Sequence, residues 1–128
     1  MSDKTIKLTT DKKYKTLEEF YPFYLSQHAN NFNRLLHYIG TILAMINLII
    51  GLYTLNIKML SLAPICGYAF AWFGHFFYEK NKPATFKYPL YSLICDYLMV
   101  YDFLTGRICD KLDNFKIKNI KYIPFNYI

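Results

Sequence analysis

Two long runs without a charged residue constrain this chain more than any other feature of its 128 residues. No Asp, Glu, Lys or Arg occurs among the 23 residues of Leu35–Ile57 or among the 20 residues of Met59–Tyr78. A helix needs about 20 apolar residues to cross the hydrocarbon core of a bilayer. Because only a short turn around residues 55–58 separates the runs, they predict a transmembrane helical hairpin. The alternative is a pair of buried helices in a soluble bundle.

The composition favours the membrane over the soluble bundle. Hydrophobic residues make up 54% of the chain and aromatic residues 20%. A short soluble protein buries a smaller fraction of its surface than a larger one does, whereas lipid can cover rings that the protein leaves exposed. The length allows one domain, and we place it at residues 16–105. Residues 1–15 are predicted to be a polar tail, and residues 106–128 a basic C-terminal tail.

A short amphipathic helix is predicted before the hairpin. Thr16 and Glu19 have the spacing of a capping box, so the helix begins at residue 17 and ends near Gln27 or His28. Pro22 is expected to kink this helix or to delay its start. Its four aromatic residues suit the headgroup level of a membrane. They are Phe20, Tyr21, Phe23 and Tyr24.

A third helix is predicted after the hairpin, from Pro89 to about Leu104, with Gly106 near its C-cap. It carries Asp96 and Asp102, so it cannot face lipid on all sides. It is either a partial span or a helix that lies against the hairpin, continuous or broken. The predicted fold is an all-α integral membrane helical bundle, built on a transmembrane hairpin, with this third helix and an N-terminal interfacial helix.

The charges predict an orientation and exclude one class of partner. The net charge is +6, but the lysines are scattered and no nucleic-acid module is recognisable, so we expect no nucleic-acid partner. Residues 1–34 hold six Lys or Arg, residues 80–87 hold three, and the hairpin turn holds Lys58. Because positive charge concentrates on the cytoplasmic side, the N-terminus and the 80–87 loop are predicted to be cytoplasmic.

The hairpin brings the chain's three histidines to one depth. His37 precedes Asn56, in the turn, by 19 residues, and His75 follows it by 19. Both therefore lie about 28 Å from the turn at about 1.5 Å per residue. His28 precedes His37 by nine residues and belongs to the same side. The convergence predicts a metal site on the cytoplasmic side.

Two acidic residues join the histidines in this prediction. Glu79 follows His75 by four residues, on the same helical face. Asp96 enters about two turns past Pro89, either as a ligand or as a partner that orients a histidine. Imidazole and carboxylate ligands suit Fe, Mn or Zn, and with open positions they suit Fe(II) oxygen chemistry in particular. A single histidine is commonly an interface anchor, and a single His–Glu pair is commonly a helix-surface contact. The metal site is therefore predicted from the convergence of all these residues at one depth.

Four segments around these residues resemble a known family. They are F-Y-P-F-Y-L-S-Q-H (20–28), N-R-L-L-H-Y-I-G-T (33–41), A-W-F-G-H-F-F-Y-E-K-N-K-P-A-T-F (71–86) and Y-P-L-Y-S-L-I-C-D-Y (88–97). Over about residues 16–105 the chain resembles the endoplasmic-reticulum 2-hydroxy fatty acid dioxygenases. The yeast member of that family acts in fatty acid α-oxidation during phytosphingosine breakdown.

The resemblance implies an Fe(II)-dependent membrane dioxygenase that shortens a 2-hydroxy fatty acid by one carbon with O₂. It implies that His28, His37 and His75 bind the iron. Glu79 and Asp96 match the family's acidic positions, and we assign them catalytic roles. It also implies the endoplasmic reticulum as the location of a eukaryotic chain, whereas a bacterial chain is expected in the inner membrane.

The substrate is expected to bind with its acyl chain among the apolar helix faces and its head at the cytoplasmic interface, surrounded by membrane lipid. Arg34 or Lys82 could bind its carboxylate, although Arg34 is equally interpretable as an interface anchor. The competing hypothesis is a non-catalytic membrane protein that binds lipid or scaffolds a complex. Three histidines are too few for a di-iron hydroxylase, and no inverted repeat suggests a transporter.

Overall fold

A computed structural model of the chain describes residues 13–117. Those residues form five α-helices and no strand, which confirms the predicted all-α class. The helices are α1 (Leu17–Ser26), α2 (Asn31–Thr54), α3 (Ile57–Gly74), α4 (Pro89–Leu104) and α5 (Ile108–Asn114). A π-helical turn, His75–Glu79, continues α3, and a 3₁₀ turn, Ala84–Phe86, precedes α4.

The helix boundaries follow the signals in the sequence. The Thr16 hydroxyl accepts the backbone N–H of Glu19 at 3.2 Å, as an N-cap residue does. Pro22 lies inside α1 and does not delay its start. Helix α4 begins with Pro89 and runs unbroken to Leu104, so the prediction of its ends is confirmed.

The hairpin of α2 and α3 turns at a single residue in the left-handed conformation. Leu55 has φ 51°, and the next residue, Asn56, caps α3 by accepting the N–H of Lys58 at 3.0 Å. Gly51 packs directly on Leu60, and the space for a Cβ there is taken by that side chain. The two helices can therefore approach closely at the turn, and the predicted helical hairpin is confirmed.

The other three helices cover the end of the hairpin that lies away from the turn. We call α1, α4 and α5 the cap, and the covered end of the hairpin the histidine end. Apolar side chains of all three helices share one buried core with Tyr38 of α2. This core includes Phe20, Tyr24, Leu25, Cys95, Met99 and Ile108.

Helix α4 crosses α2 instead of running beside it. Asp96 contacts His37, and the ring of Phe103 stacks on Tyr38 with 4.4 Å between centroids. His37 and Tyr38 are neighbours on α2, whereas Asp96 and Phe103 are separated by about 10 Å along α4. Since α4 has only 16 residues, it is too short for a full span and lies against the histidine end.

One expectation differs from the structure. The aromatic residues of α1 are expected at the headgroup level, but Phe20, Tyr21 and Tyr24 are buried in the core, because α4 lies across them. The domain bounds of 16–105 stay a prediction, and residues on both sides pack on this core: Tyr14 stacks on Phe23, and Ile108 is buried. The outer parts of the two predicted tails, 1–12 and 118–128, lie outside the described residues.

Candidate metal centre

The three histidines come from three elements and meet inside the protein. His28 follows α1, His37 lies in α2, and His75 begins the π-helical turn. They are 1%, 4% and 1% exposed. One ring nitrogen from each lies within 4.8 Å of the others, and the Nε2 atoms of His28 and His37 are 3.1 Å apart. The predicted convergence of the histidines is therefore present in the structure.

Each histidine has its Nδ1 atom occupied by an acceptor from the chain. The Nδ1 of His28 lies 2.6 Å from the carbonyl oxygen of Tyr24. That of His75 lies 2.7 Å from the Asn81 Oδ1, and that of His37 lies 3.3 Å from the Asp96 Oδ1. These acceptors favour the tautomer with the proton on Nδ1, which leaves Nε2 as the ligand atom.

The donor set therefore fits a metal ion. Imidazole nitrogens suit Fe, Zn, Cu and Ni, and the outer partners orient the rings as they do in metalloproteins. Among residues 13–117 this is the one group of three such side chains close enough to share an ion. Burial and the other two imidazoles lower the pKa of His28, which keeps this histidine in the neutral form that binds metals.

The π-helical turn places His75. The wider turn lets the N–H of Asn81 reach the carbonyl of His75 at 3.1 Å, and Lys80 closes it with φ 57°. Gly74, just before the turn, packs so tightly on Asn33 that a Cβ would collide with that side chain. π-helical turns are mostly single bulges within α-helices and are frequent at functional sites; this one begins at His75, whose ring lies 4.5 Å from that of His28 and 5.0 Å from that of His37 between centroids.

Glu79 lies beside the histidines without joining their group. Its carboxylate accepts the backbone N–H of Asn30 at 2.5 Å and the side-chain amide of Asn33 at 3.3 Å. These bonds hold the turn between His28 and His37. The structure thus places Glu79 in a supporting position, and its catalytic role stays a prediction.

Asp96 lies closer to the site and links two elements. Its Oδ1 accepts from His37 Nδ1 and from the hydroxyl of Tyr24. The ring of Tyr24 in turn stacks on His28 with 4.1 Å between centroids. Burial and the adjacent carboxylate raise the pKa of Tyr24, so this hydroxyl stays protonated and donates. Asp96 contacts His37 on the side away from Nε2, which is the position of a group that orients a ligand.

The two predicted substrate-binding cations lie elsewhere. Arg34 is 1% exposed and donates to the carbonyl oxygens of His28 at 2.8 Å and Ala29 at 2.9 Å. It therefore holds the loop that carries His28 and is not a surface anchor. Lys82 is exposed and precedes Pro83, which lines the cavity described below. Neither cation lines that cavity itself, and their role in binding stays a prediction.

Sequence reasoning missed two supporting residues. Asn81 orients His75, and its amide donates to the backbone and side-chain oxygens of Gln27 at 3.2 and 3.1 Å. Tyr24 was assigned to the membrane interface but contacts both His28 and Asp96. A signal for Asn81 was its place in the E-K-N-K-P run, two residues after Glu79.

A cavity of about 300 Å³ extends from the histidines along the hairpin. Its walls come from α2, α3 and α4 and are mostly apolar. His28, His37, His75 and Asp96 line one end, and Leu48 and Leu60 line the other. Trp72 and Leu93 line the cavity and are also exposed, by 39% and 49%. The cavity therefore opens sideways, between α3 and α4.

The comparisons with known proteins agree with this geometry. The family model described as 2-hydroxy-palmitic acid dioxygenase Mpo1-like matches residues 14–108. No curated protein and no solved structure matches the chain. The matched segment contains all three histidines, the hairpin, α4 and the cavity. By this match over most of its length, the chain belongs to the Mpo1-like family.

Proposed function

We propose that this chain is an Fe(II)-dependent membrane dioxygenase that shortens a 2-hydroxy fatty acid by one carbon with O₂. The observation that carries the proposal is the set of three buried histidines at the head of an apolar cavity. Each has its Nδ1 occupied by the chain, which leaves three Nε2 atoms for an ion. The family match names the reaction class.

The reaction balances without a further reductant: R–CHOH–COOH + O₂ → R–COOH + CO₂ + H₂O. The substrate supplies all four electrons, two for each oxygen atom that is reduced. When bound, the iron would supply activation of O₂ and an anchoring point for the hydroxy-carboxylate head. His28, His37 and His75 would hold the iron, and the protein's own part is to position the head and keep water away.

Two polar side chains support binding of the head beside the histidines. Asp96 and the buried Ser92 line the cavity one helical turn apart on α4. The Oγ of Ser92 has no hydrogen-bond partner among the described residues, so a bound head group can satisfy it. Lys82, on the exposed loop before Pro83, is nearer to this end than to the turn and would meet the carboxylate. Arg34 would act through the loop of His28.

The membrane location rests on the two long helices. The segments Asn31–Thr54 and Ile57–Glu79 have mean hydropathies of 2.0 and 1.3 and are long enough to cross a bilayer. Only 28% and 11% of their most apolar windows are buried in the protein, whereas core helices of soluble proteins are mostly buried. Lipid would cover the rest. The location would be the endoplasmic reticulum in a eukaryote or the inner membrane in a bacterium.

The orientation has its own test. We propose that the histidine end faces the cytoplasm, because the 80–87 loop holds three lysines and the turn holds one. In sealed vesicles, a membrane-impermeant maleimide should label Lys82→Cys and Asn56→Cys from opposite sides. Wild type is the control, because it shows any labelling of the native cysteines Cys66, Cys95 and Cys109. Labelling of both variants from one side would contradict a spanning hairpin.

The activity is tested by turnover of 2-hydroxypalmitate by purified protein loaded with Fe(II). We expect O₂ consumption with equimolar formation of pentadecanoate and CO₂, and none with palmitate, which lacks the hydroxyl group. Protein stripped of metal is the control. Binding of 2-hydroxypalmitate by iron-loaded protein without any product would favour the alternative, a non-catalytic lipid-binding or scaffolding protein.

A further inference from the structure

We propose that the cavity is an open groove, which holds the head and the first part of the substrate's acyl chain and leaves the remainder in the bilayer. The inference rests on the proposed function, which supplies the class of substrate. It implies that the substrate enters sideways from the membrane. It also implies that 2-hydroxy acids longer than the groove bind equally well, whatever their length.

The polar lining of the groove is more buried than most of its apolar lining. His28, His75 and Ser92 are at most 2% exposed. By contrast, Tyr68 is 42% and Leu48 is 40% exposed. The polar groups of the groove are thus enclosed, whereas its apolar side is open to the surroundings of the hairpin.

The middle of the groove exists because its walls carry small side chains. Ala44 of α2 faces Gly67 of α3, where an added Cβ would lie 3.7 Å from the Ala44 Cβ. Thr41 and Ala71 form the wall one turn nearer the histidines. Small residues let the two helices approach closely, and here they also line the groove, so a bulky side chain at one of them would fill part of it.

No helix closes the groove at the turn end within the described part of the chain. Helix α4 covers only the histidine end, because it crosses α2 at His37 and Tyr38. Pro64 and Leu48, which line the distal groove, are exposed. Methylenes beyond Leu48 would therefore remain in lipid. Since they lose no contact with water on binding, they add nothing to the affinity.

The chemistry and size of the polar end of the groove determine which lipid can bind. A single chain with a small acidic head can place that head against Ser92 and the histidines, under Pro83 and Ala84. The volume of about 300 Å³ is at the lower limit for ligand pockets, which suits a single chain with a small head better than a phospholipid with its larger head group. The occupant is a free 2-hydroxy fatty acid taken from the bilayer.

Trp72, the only tryptophan of the chain, reports occupancy directly. It lines the groove three residues before His75. In phosphatidylcholine nanodiscs, 2-hydroxy acids brominated near the head should quench its fluorescence saturably. Brominated phosphatidylcholine at the same mole fraction should quench weakly and without saturation. Unlabelled 2-hydroxy acids of myristic, palmitic, arachidic and lignoceric length should compete within about twofold of one another, because the added methylenes stay in lipid.

Two substitutions within the groove test its position. Ala44→Leu should weaken the saturable quenching about tenfold or more, since the added side chain occupies the channel. Gly67→Ala, which has room for its methyl group, should weaken it less. Ala69→Leu is the matched control, because Ala69 is exposed on α3 and lies outside the groove, and it should bind as wild type does.

Three results would overturn the inference. The first is a sharp optimum of chain length with loss of binding by longer acids, as a sealed cavity would give. The second is saturable quenching by brominated phosphatidylcholine. The third is wild-type binding by both Ala44→Leu and Gly67→Ala. Saturable binding of the predicted kind without turnover would instead contradict the proposed function and leave the groove in place.

Discussion

The two ends of the hairpin are built from the same helices but differ in chemistry. At the histidine end, His37 and His75 are buried, and each ring is oriented by a hydrogen-bond partner outside its own helix. At the turn end, Tyr53 is 90% and Leu52 is 58% exposed. Apart from the cap at Asn56 and the close packing beside it, most side chains there contact only the surroundings. The histidine end depends on specific partners, whereas most of the turn end presents an apolar surface.

Because the two ends differ in this way, substitutions at the histidine end should have larger effects than substitutions at the turn end. Partners at the histidine end fix the position of chemical groups, so their loss affects metal binding. Side chains at the turn end contact the surroundings, so most apolar replacements there should change stability by less than about 0.5 kcal/mol.

The largest effect is expected from the histidines themselves. His28→Ala, His37→Ala and His75→Ala should each remove most of the bound iron, because each deletes one of three ligands. Elemental analysis of purified protein, loaded anaerobically with Fe(II), measures this directly, and wild type should carry about one iron per chain. Asn47→Ala, a polar truncation midway along the hairpin and outside the metal site, should keep the wild-type content. Full iron content in all three histidine variants would place the site elsewhere.

The second prediction compares the contributions of Asp96 and Glu79 to Fe(II) binding. Asp96→Asn should weaken Fe(II) binding about 10- to 100-fold, as loss of an outer partner of a ligand does. Glu79→Gln should weaken it less, because the amide oxygen of Gln can still accept from Asn30 and Asn33. Titration against a competing chelator gives both affinities. If Glu79→Gln proves the more harmful, its carboxylate acts at the metal itself, contrary to its hydrogen bonds in the structure.

The third prediction concerns the effect on Fe(II) binding of Asn81, the hydrogen-bond partner of His75. Asn81→Ala should weaken Fe(II) binding about tenfold, since it frees the imidazole to rotate. Asn81→Asp should restore most of the affinity, because a carboxylate oxygen can accept from Nδ1 as the amide oxygen does. Equal losses in the two variants would indicate that Asn81 acts through its bonds to Gln27 and not through His75.

The smallest effect on iron binding is expected at Asp102, a carboxylate of the cap that lies away from the metal. Asp102 is 2% exposed, accepts from the Tyr21 hydroxyl at 2.5 Å and pairs with Lys111 at 3.1 Å. Asp102→Asn should lower the free energy of unfolding by about 1–3 kcal/mol and leave the iron content unchanged. Thermal unfolding in detergent, compared with the exposed Asp113→Asn, checks the first part. Iron loss in Asp102→Asn would contradict the separation of the two carboxylates on α4.

Local patterns in the sequence predicted the elements and the convergence, but not the contacts between elements. Thr16 and Pro89 mark helix starts by chemistry within a few residues. The equal spacing of His37 and His75 from the turn is enough to bring them to the same depth in any straight hairpin. The π-helical turn, in contrast, depends on how Gly74 packs on Asn33, which lies 41 positions earlier. No local pattern encodes that contact.

The surroundings of Arg34 and Asp96 likewise could not be predicted from local patterns in the sequence. Arg34 has the position of an interface anchor in the sequence, but it is buried because the carbonyl groups of His28 and Ala29 turn towards it. The role of Asp96 depends on how α4 packs against α2, which brings its carboxylate to His37. Such arrangements follow from side-chain packing across the whole fold and have no periodic signal.

X-ray absorption at the iron edge tests the central claim most directly. The claim is that His28, His37 and His75 together bind one Fe(II). In wild-type protein loaded with one equivalent, the spectrum should show outer-shell scattering from three imidazole rings and no sulfur ligand. A spectrum with one imidazole or none, or with sulfur from Cys66, Cys95 or Cys109, would contradict it.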